Sequence, residues 1–130
     1  MSMLAVEDQL SLVEIAHTVL EHACAPYSNV RVGAALLTDE GRVYTGVNVE
    51  SASYGGTICA ERTALVKALS EGERRFVAIA VTSNGDTPIM PCGICRQLLY
   101  EYAPGLQVIC EGGGSVVATH IADLYPHPFT

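Results

Sequence analysis

Basic residues are scarce in this sequence. Seven lysines and arginines stand against fourteen acids, a formal net charge of -7, and they form no cluster. A protein that grips a nucleic-acid polymer needs a basic face to neutralise phosphates. DNA and RNA are therefore not expected partners, whereas small neutral ligands stay open. Long apolar runs are missing too: no stretch approaches the roughly 18 residues of a membrane-spanning helix, and no membrane partner is expected. Near the N-terminus, Glu7, Asp8 and Glu14 interrupt any basic-then-apolar leader. The five cysteines are an odd number, and a secreted disulfide scaffold would be smaller and richer in loops. The expected compartment is the cytoplasm. Charged residues make up only 16% of the chain, against about 25% in ordinary soluble domains, which points to surface hidden in subunit contacts. No linker, repeat or low-complexity segment divides the chain. Residues 1–130 are therefore expected to form a single domain, long enough to bury most of its apolar surface.

Leu10, Val13, Ala16, Leu20 and Ala23 recur at intervals of three or four, which predicts a helix over 7–23. Segments 31–38 and 42–49, rich in Val, Leu and Ala, flank a short turn and predict an antiparallel hairpin. A helix over 58–71 follows, with the Thr57 hydroxyl as its N-cap. The apolar run 76–82 reads as a buried strand, and Pro91 and Gly93 open a helix that stops near Tyr102. Two strands, 106–110 and 115–119, surround a glycine turn, and a short helical piece precedes the proline-rich tail. This order predicts an α/β fold in three layers: a mixed five-stranded sheet with helices on both faces. The second and third helices begin at the motifs described next, and their N-termini can meet at one edge.

Those motifs are Cys59-Ala60-Glu61 and Pro91-Cys92-Gly93-Ile94-Cys95. Each sits at the start of a helix, where backbone N–H groups and the helix dipole favour deprotonated sulfur. Three thiolates hold a tetrahedral zinc ion with one position open, which is the catalytic arrangement. Two rivals compete. A C-x-x-C pair also serves redox chemistry, but Cys59 then has no role. Structural zinc needs a fourth ligand, and Cys24, Cys110 and the four histidines show no companion spacing. A catalytic metal is the favoured reading. Cys24 and Cys110 are expected as buried apolar side chains. Glu61 reads as a general base and acid beside metal-activated water, against the plainer reading of a first-turn acid facing the helix dipole. Arg62 and Arg96 directly follow the motifs and are expected to donate to the sulfurs, offsetting the excess negative charge of three thiolates on a dication.

At these residues the chain resembles the zinc-dependent cytidine deaminases of the short, homotetrameric kind. The likeness runs from Ala25 to Phe129 through Pro26-Tyr27-Ser28, Val32-Gly33-Ala34-Ala35-Leu36, Gly46-Val47-Asn48-Val49-Glu50, Thr57-Ile58-Cys59-Ala60-Glu61-Arg62-Thr63-Ala64 and Pro91-Cys92-Gly93-Ile94-Cys95-Arg96-Gln97. The resemblance implies a cytidine deaminase-like fold and one zinc ion per subunit on Cys59, Cys92 and Cys95. It implies a proton shuttle at Glu61 serving attack of hydroxide on C4 of cytosine and departure of ammonia. It further implies that Asn48 and Glu50 bind the ribose hydroxyls and that the Ala60 backbone meets the pyrimidine edge. Val30 stands where the family usually has a phenylalanine that packs on the pyrimidine. Phe129 matches a terminal ring that enters a neighbouring subunit's site, with Tyr125 replacing an aliphatic residue before it. The expected substrate is cytidine, and deoxycytidine with it. Blasticidin-type deaminases share the zinc motif but usually lack the carboxylate at Glu50 and the arginine at Arg62, so a nucleoside is favoured. Editing deaminases share the chemistry, and the acidic balance and short chain speak against them. A noncatalytic zinc-stabilised binding module is the alternative of a different class.

Overall fold

Small residues bring the helices close to the sheet in this chain. The computed structural model describes residues 3–130. Its elements are α1 (Val6–Thr18), β1 (Val32–Thr38), β2 (Val43–Val47), α2 (Ala60–Ser70), β3 (Phe76–Ser83), α3 (Gly93–Tyr102), β4 (Gln107–Gly112), β5 (Ser115–His120) and the single turn α4 (Ile121–Leu124). All five strands join one sheet in the order β2-β1-β3-β4-β5. β1 runs antiparallel to both β2 and β3, β3 lies parallel to β4 through the α3 crossover, and β5 returns antiparallel. The predicted three-layer mixed sheet is therefore the observed one. Among the described residues, no helix is long and apolar enough to cross a membrane.

Strand side chains alternate between faces, and the core divides accordingly. On one face Ala35, Ala78, Ala80 and Ile109 take the α1 residues Leu12, Val13 and Ala16. On the other, Ala34, Leu36, Ile79, Val81 and Val108 pack against Ala60, Ala64, Leu65 and Ala68 of α2 and Leu99 of α3. The α2 contact is tightest at Gly46 of β2. A Cβ there would collide with the Ala64 nitrogen and lie 2.5 Å from the Ala60 carbonyl oxygen, both rigid backbone atoms. Gly46→Ala must push α2 off the sheet, and overpacking against backbone costs about 3 kcal/mol. We expect the variant's melting temperature to fall by about 10 °C, with weakened metal retention because α2 carries Cys59. Calorimetry and metal analysis on one sample check this, and an unchanged melting temperature contradicts it.

Three local expectations need correction. The first helix stops at Thr18, with one 3-10 turn over 20–22, rather than continuing to 23. The chain must turn there because Cys24 pairs with the strand beyond β2: its N–H donates to Asn48 and its carbonyl accepts from Glu50. Cys24 is consequently exposed, whereas Cys110 is buried as expected. Thr57 does not cap α2. Its hydroxyl accepts from the Ser51 N–H at 3.0 Å, and Ile58 exchanges backbone hydrogen bonds with Val49. That pairing holds the chain extended until Cys59, which takes the N-cap position.

Candidate metal centre and substrate cavity

The N-termini of α2 and α3 meet beyond the ends of the central strands and bring the three cysteines together. Cys59 and Cys92 are the N-cap residues of the two helices, both extended, and Cys95 lies in the first turn of α3. The Cys92 sulfur accepts from the Cys95 N–H at 3.5 Å, so it already fills the place of a capping side chain. The Cys59 and Cys92 sulfurs lie 3.6 Å apart and those of Cys92 and Cys95 3.4 Å apart. All three sulfurs fall within 4.8 Å of one another, and among the described residues no fourth His, Cys, Asp or Glu joins them. Zinc–sulfur bonds of about 2.3 Å in a tetrahedron put sulfurs about 3.8 Å apart. The soft donor set and its spacing thus fit one zinc ion, with too few protein ligands for a closed structural site. A hydrogen bond from Cys95, with further donation by Arg62, holds the Cys59 thiol down at about 5. The reciprocal bond and burial push Cys95 up.

Beside the sulfurs is a cavity of about 160 Å³ bounded by Val32, Asn48, Thr57, Cys59, Ala60, Glu61, Ile89, Met90 and Cys92. Glu61 is only 4% exposed, and burial pushes its carboxyl up to about 7. A divalent cation held by the sulfurs would act in the opposite sense, favouring a carboxylate able to take and return a proton. Hollows of about 570 Å³ beside His17 and Arg31 and about 470 Å³ beside Tyr100 and Phe129 are larger, but neither contains a cysteine or a buried carboxylate. Ile89 and Met90 were not among the sequence candidates. Their only signal was adjacency to Pro91-Cys92. The β4–β5 hairpin seats the loop that carries them, since a Cβ on Gly112 would collide with the carbonyl group of Thr87.

Arg62 Nη2 lies 3.4 Å from the Cys59 sulfur and 3.3 Å from the Thr57 carbonyl oxygen, while its buried Nε finds no hydrogen-bond partner among the described residues. Arg96 departs from the expectation of donating to sulfur. Its Nε donates to the Pro91 carbonyl at 2.7 Å and one Nη to the Leu124 carbonyl at 2.9 Å. Two main-chain acceptors where the α3 entry meets the C-terminal segment take up this guanidinium, so it supports the cysteine loop through backbone.

Asn48 borders the cavity. Its Oδ1 accepts from the Val32 N–H at 2.9 Å and its Nδ2 donates to the Val30 carbonyl at 2.8 Å, each end keeping one unused valence. The Glu50 carboxylate accepts from the N–H groups of Tyr27 and Ser28, at 2.9 and 3.1 Å, and from the Ser28 hydroxyl. That hydroxyl, foremost, holds its pKa below the usual carboxylate range. The Ser28 oxygen also accepts from the Val30 N–H at 3.0 Å. Val30 and Phe129 are both exposed, Phe129 at 83%, and neither lines the Glu61 cavity of its own chain.

The family model described as the cytidine and deoxycytidylate deaminase zinc-binding region matches residues 6–111. A cytidine deaminase of Halalkalibacterium halodurans is 46% identical over 125 residues, 95% of each chain. The crystal structure of cytidine deaminase from Burkholderia pseudomallei superposes with a TM-score of 0.89 at 49% identity, over 92% of this chain and 98% of that one. A blasticidin-S deaminase of Bacillus cereus is more distant, at 32% identity over 95% of this chain and 94% of its own. With three sulfurs converging beside a buried glutamate and a family match over most of its length, the chain belongs to the zinc-binding cytidine and deoxycytidylate deaminases.

Proposed function

We propose that this protein hydrolyses cytidine, and deoxycytidine with it, to the uracil nucleoside and ammonia, as one catalytic domain over residues 1–130. The observation that carries the reading is a buried Glu61 carboxyl sharing a cavity with three sulfurs spaced for one tetrahedral ion. When bound on Cys59, Cys92 and Cys95, zinc supplies the Lewis acidity that makes water a competent nucleophile near neutrality. Glu61 accepts a proton from the attacking water and delivers it to N3 of the pyrimidine, then takes the second proton from the new C4 hydroxyl and passes it to the amino group as the C4–N bond breaks and the C4 carbonyl forms. The Ala60 backbone meets the pyrimidine edge. Asn48 and Glu50 receive the ribose hydroxyls through the valences left after their hydrogen bonds to the 27–32 segment. Val30 offers an aliphatic contact to the pyrimidine face. Arg62 moderates the charge on the Cys59 sulfur.

The proposed assembly is a homotetramer with a site at each subunit boundary, completed by Phe129 of a neighbouring subunit. Exposed apolar side chains support it: Tyr54 and Phe129 at 83% and Ile94 at 64% are poor candidates for open water. A cytoplasmic setting agrees with five unpaired cysteines, since a reducing compartment keeps zinc-binding thiols free. The alternative substrate is blasticidin S. Glu50 and Arg62 favour the nucleoside, because only a nucleoside presents ribose hydroxyls to a preset carboxylate.

Purified, zinc-loaded protein should bleach the cytosine absorbance band of cytidine and deoxycytidine and release ammonia, with little turnover of blasticidin S. Faster turnover of blasticidin S than of cytidine would transfer the assignment to that class. No turnover of any aminopyrimidine would leave a zinc-stabilised binding module.

A further inference from the structure

Gln97, two residues beyond Cys95 on α3, uses every valence of its side chain. A glutamine amide offers two lone pairs and two N–H groups. Oε1 accepts from the Tyr125 hydroxyl at 2.7 Å and from the Phe129 N–H at 3.1 Å. Nε2 donates to the Phe129 carbonyl at 2.8 Å and to Glu101 Oε1 at 2.7 Å. Gripping both the N–H and the C=O of one residue is what a neighbouring β-strand does, and it fixes the position and plane of that backbone. The amide has one possible orientation, because a flip would set its NH₂ against the Phe129 N–H and its oxygen against the Phe129 carbonyl.

The segment so held is short and stiff. It leaves α4 after Leu124, whose carbonyl is tied to Arg96, and Pro126 and Pro128 each fix one backbone angle. The tail is anchored at both ends to consecutive residues of α3. Its last aromatic ring is the opposite case: the Phe129 backbone is clamped while its side chain is 83% exposed. A floppy terminal residue needs no such clamp, since its backbone would be solvated.

We infer that Gln97, oriented by the Tyr125 hydroxyl, is a positioning residue that fixes where the Phe129 ring is presented to a neighbouring subunit's site. The inference rests on the reading above that Phe129 completes that site. Gln97 touches no substrate, and its effect passes through the ring. Removing the clamp lets the tail sample many positions, so substrate binding weakens while the proton transfers at Glu61 continue. The signature is a raised KM at nearly constant kcat.

The experiment is steady-state kinetics on cytidine with the zinc-loaded assembly, comparing wild type, Phe129→Ala, Gln97→Ala, Tyr125→Phe and the Gln97→Ala/Phe129→Ala pair. Phe129→Ala and Gln97→Ala should each raise KM about tenfold with kcat altered less than about twofold. The double variant should match Phe129→Ala alone, because a clamp with nothing to present has no further effect. Tyr125→Phe removes one hydrogen bond and should raise KM about threefold, an increment that also vanishes once Phe129 is alanine. If Phe129→Ala raises KM and Gln97→Ala does not, or if the two effects multiply, the inference fails while the neighbouring-site reading stands. If Phe129→Ala itself leaves KM unchanged, that reading fails and the inference with it. Should Gln97→Ala lose zinc or dissociate, Tyr125→Phe decides: no rise in KM overturns the inference.

Discussion

Glu61→Gln should keep its zinc and lose about a thousandfold or more in kcat. Proton transfer by a placed side chain contributes about 10² to 10⁴ in rate, and in the proposed reaction one carboxylate serves the attacking water, N3 and the leaving amino group in turn. Glutamine has the same shape and can still donate a hydrogen bond, but it cannot cycle a proton. The fold should not object to the exchange. Glu61 is 4% exposed among Ala60, Val32 and Met90, and a neutral amide costs less to bury there than a charge. The three sulfurs sit on backbone that the substitution leaves alone, so metal content should be that of wild type. Three measurements on one preparation make the test: zinc per subunit, melting temperature and single-turnover rate. Zinc and stability intact with turnover lost locates the defect in proton transfer. A rate within tenfold of wild type would remove Glu61 from the role and leave the buried carboxyl without one.

What could be read from the chain before its fold follows a physical division. The strands follow from apolar runs such as 76–82, because that signal is local, and the mixed sheet follows from the order of strands and helices along the chain. The metal donors were legible for another reason: a soft-metal site needs particular side chains at particular intervals, and Cys59, Cys92 and Cys95 provide them. Features decided by distant partners were not legible. Thr57 has the composition of an N-cap, but Ser51 claims its hydroxyl and the Val49–Ile58 pairing keeps the chain extended to Cys59. Arg96 follows a ligand just as Arg62 does, yet carbonyls of Pro91 and Leu124 claim it, and the second lies 28 residues away. Cys24 lies in an apolar periodic stretch, but pairing with Asn48 and Glu50 draws it out of the helix and into solvent. Asn48 and Glu50 were singled out by the family resemblance. That Ser28 presets the carboxylate, and that the Asn48 amide ties down the 30–32 backbone, depends on a loop folding back from twenty residues earlier.

Cys95→Ser should abolish zinc binding and turnover together, and make the protein behave like chelator-treated wild type. Cys95 is the buried member of the three and stands 3.4 Å from the Cys92 sulfur. Serine fills nearly the same volume, so the cavity and the α3 start are preserved. What changes is the donor: a hydroxyl does not ionise near neutrality, and an uncharged oxygen is a poor ligand for zinc beside two thiolates. Because the three sulfurs converge in the folded chain, zinc binds it in preference to the unfolded one, and its loss should also appear in stability. Ligand at a thousandfold above its dissociation constant contributes about 4 kcal/mol, or about 15 °C in melting temperature for a chain of this size. Chelation should lower wild type by that amount and leave Cys95→Ser unmoved. Cys24→Ser supplies the contrast: it is exposed and outside the cluster, so zinc content, melting temperature and turnover should all stay at wild-type values. If Cys95→Ser retains one zinc ion per subunit and still responds to chelator, a donor other than the Cys95 sulfur closes the site and the three-thiolate assignment is wrong.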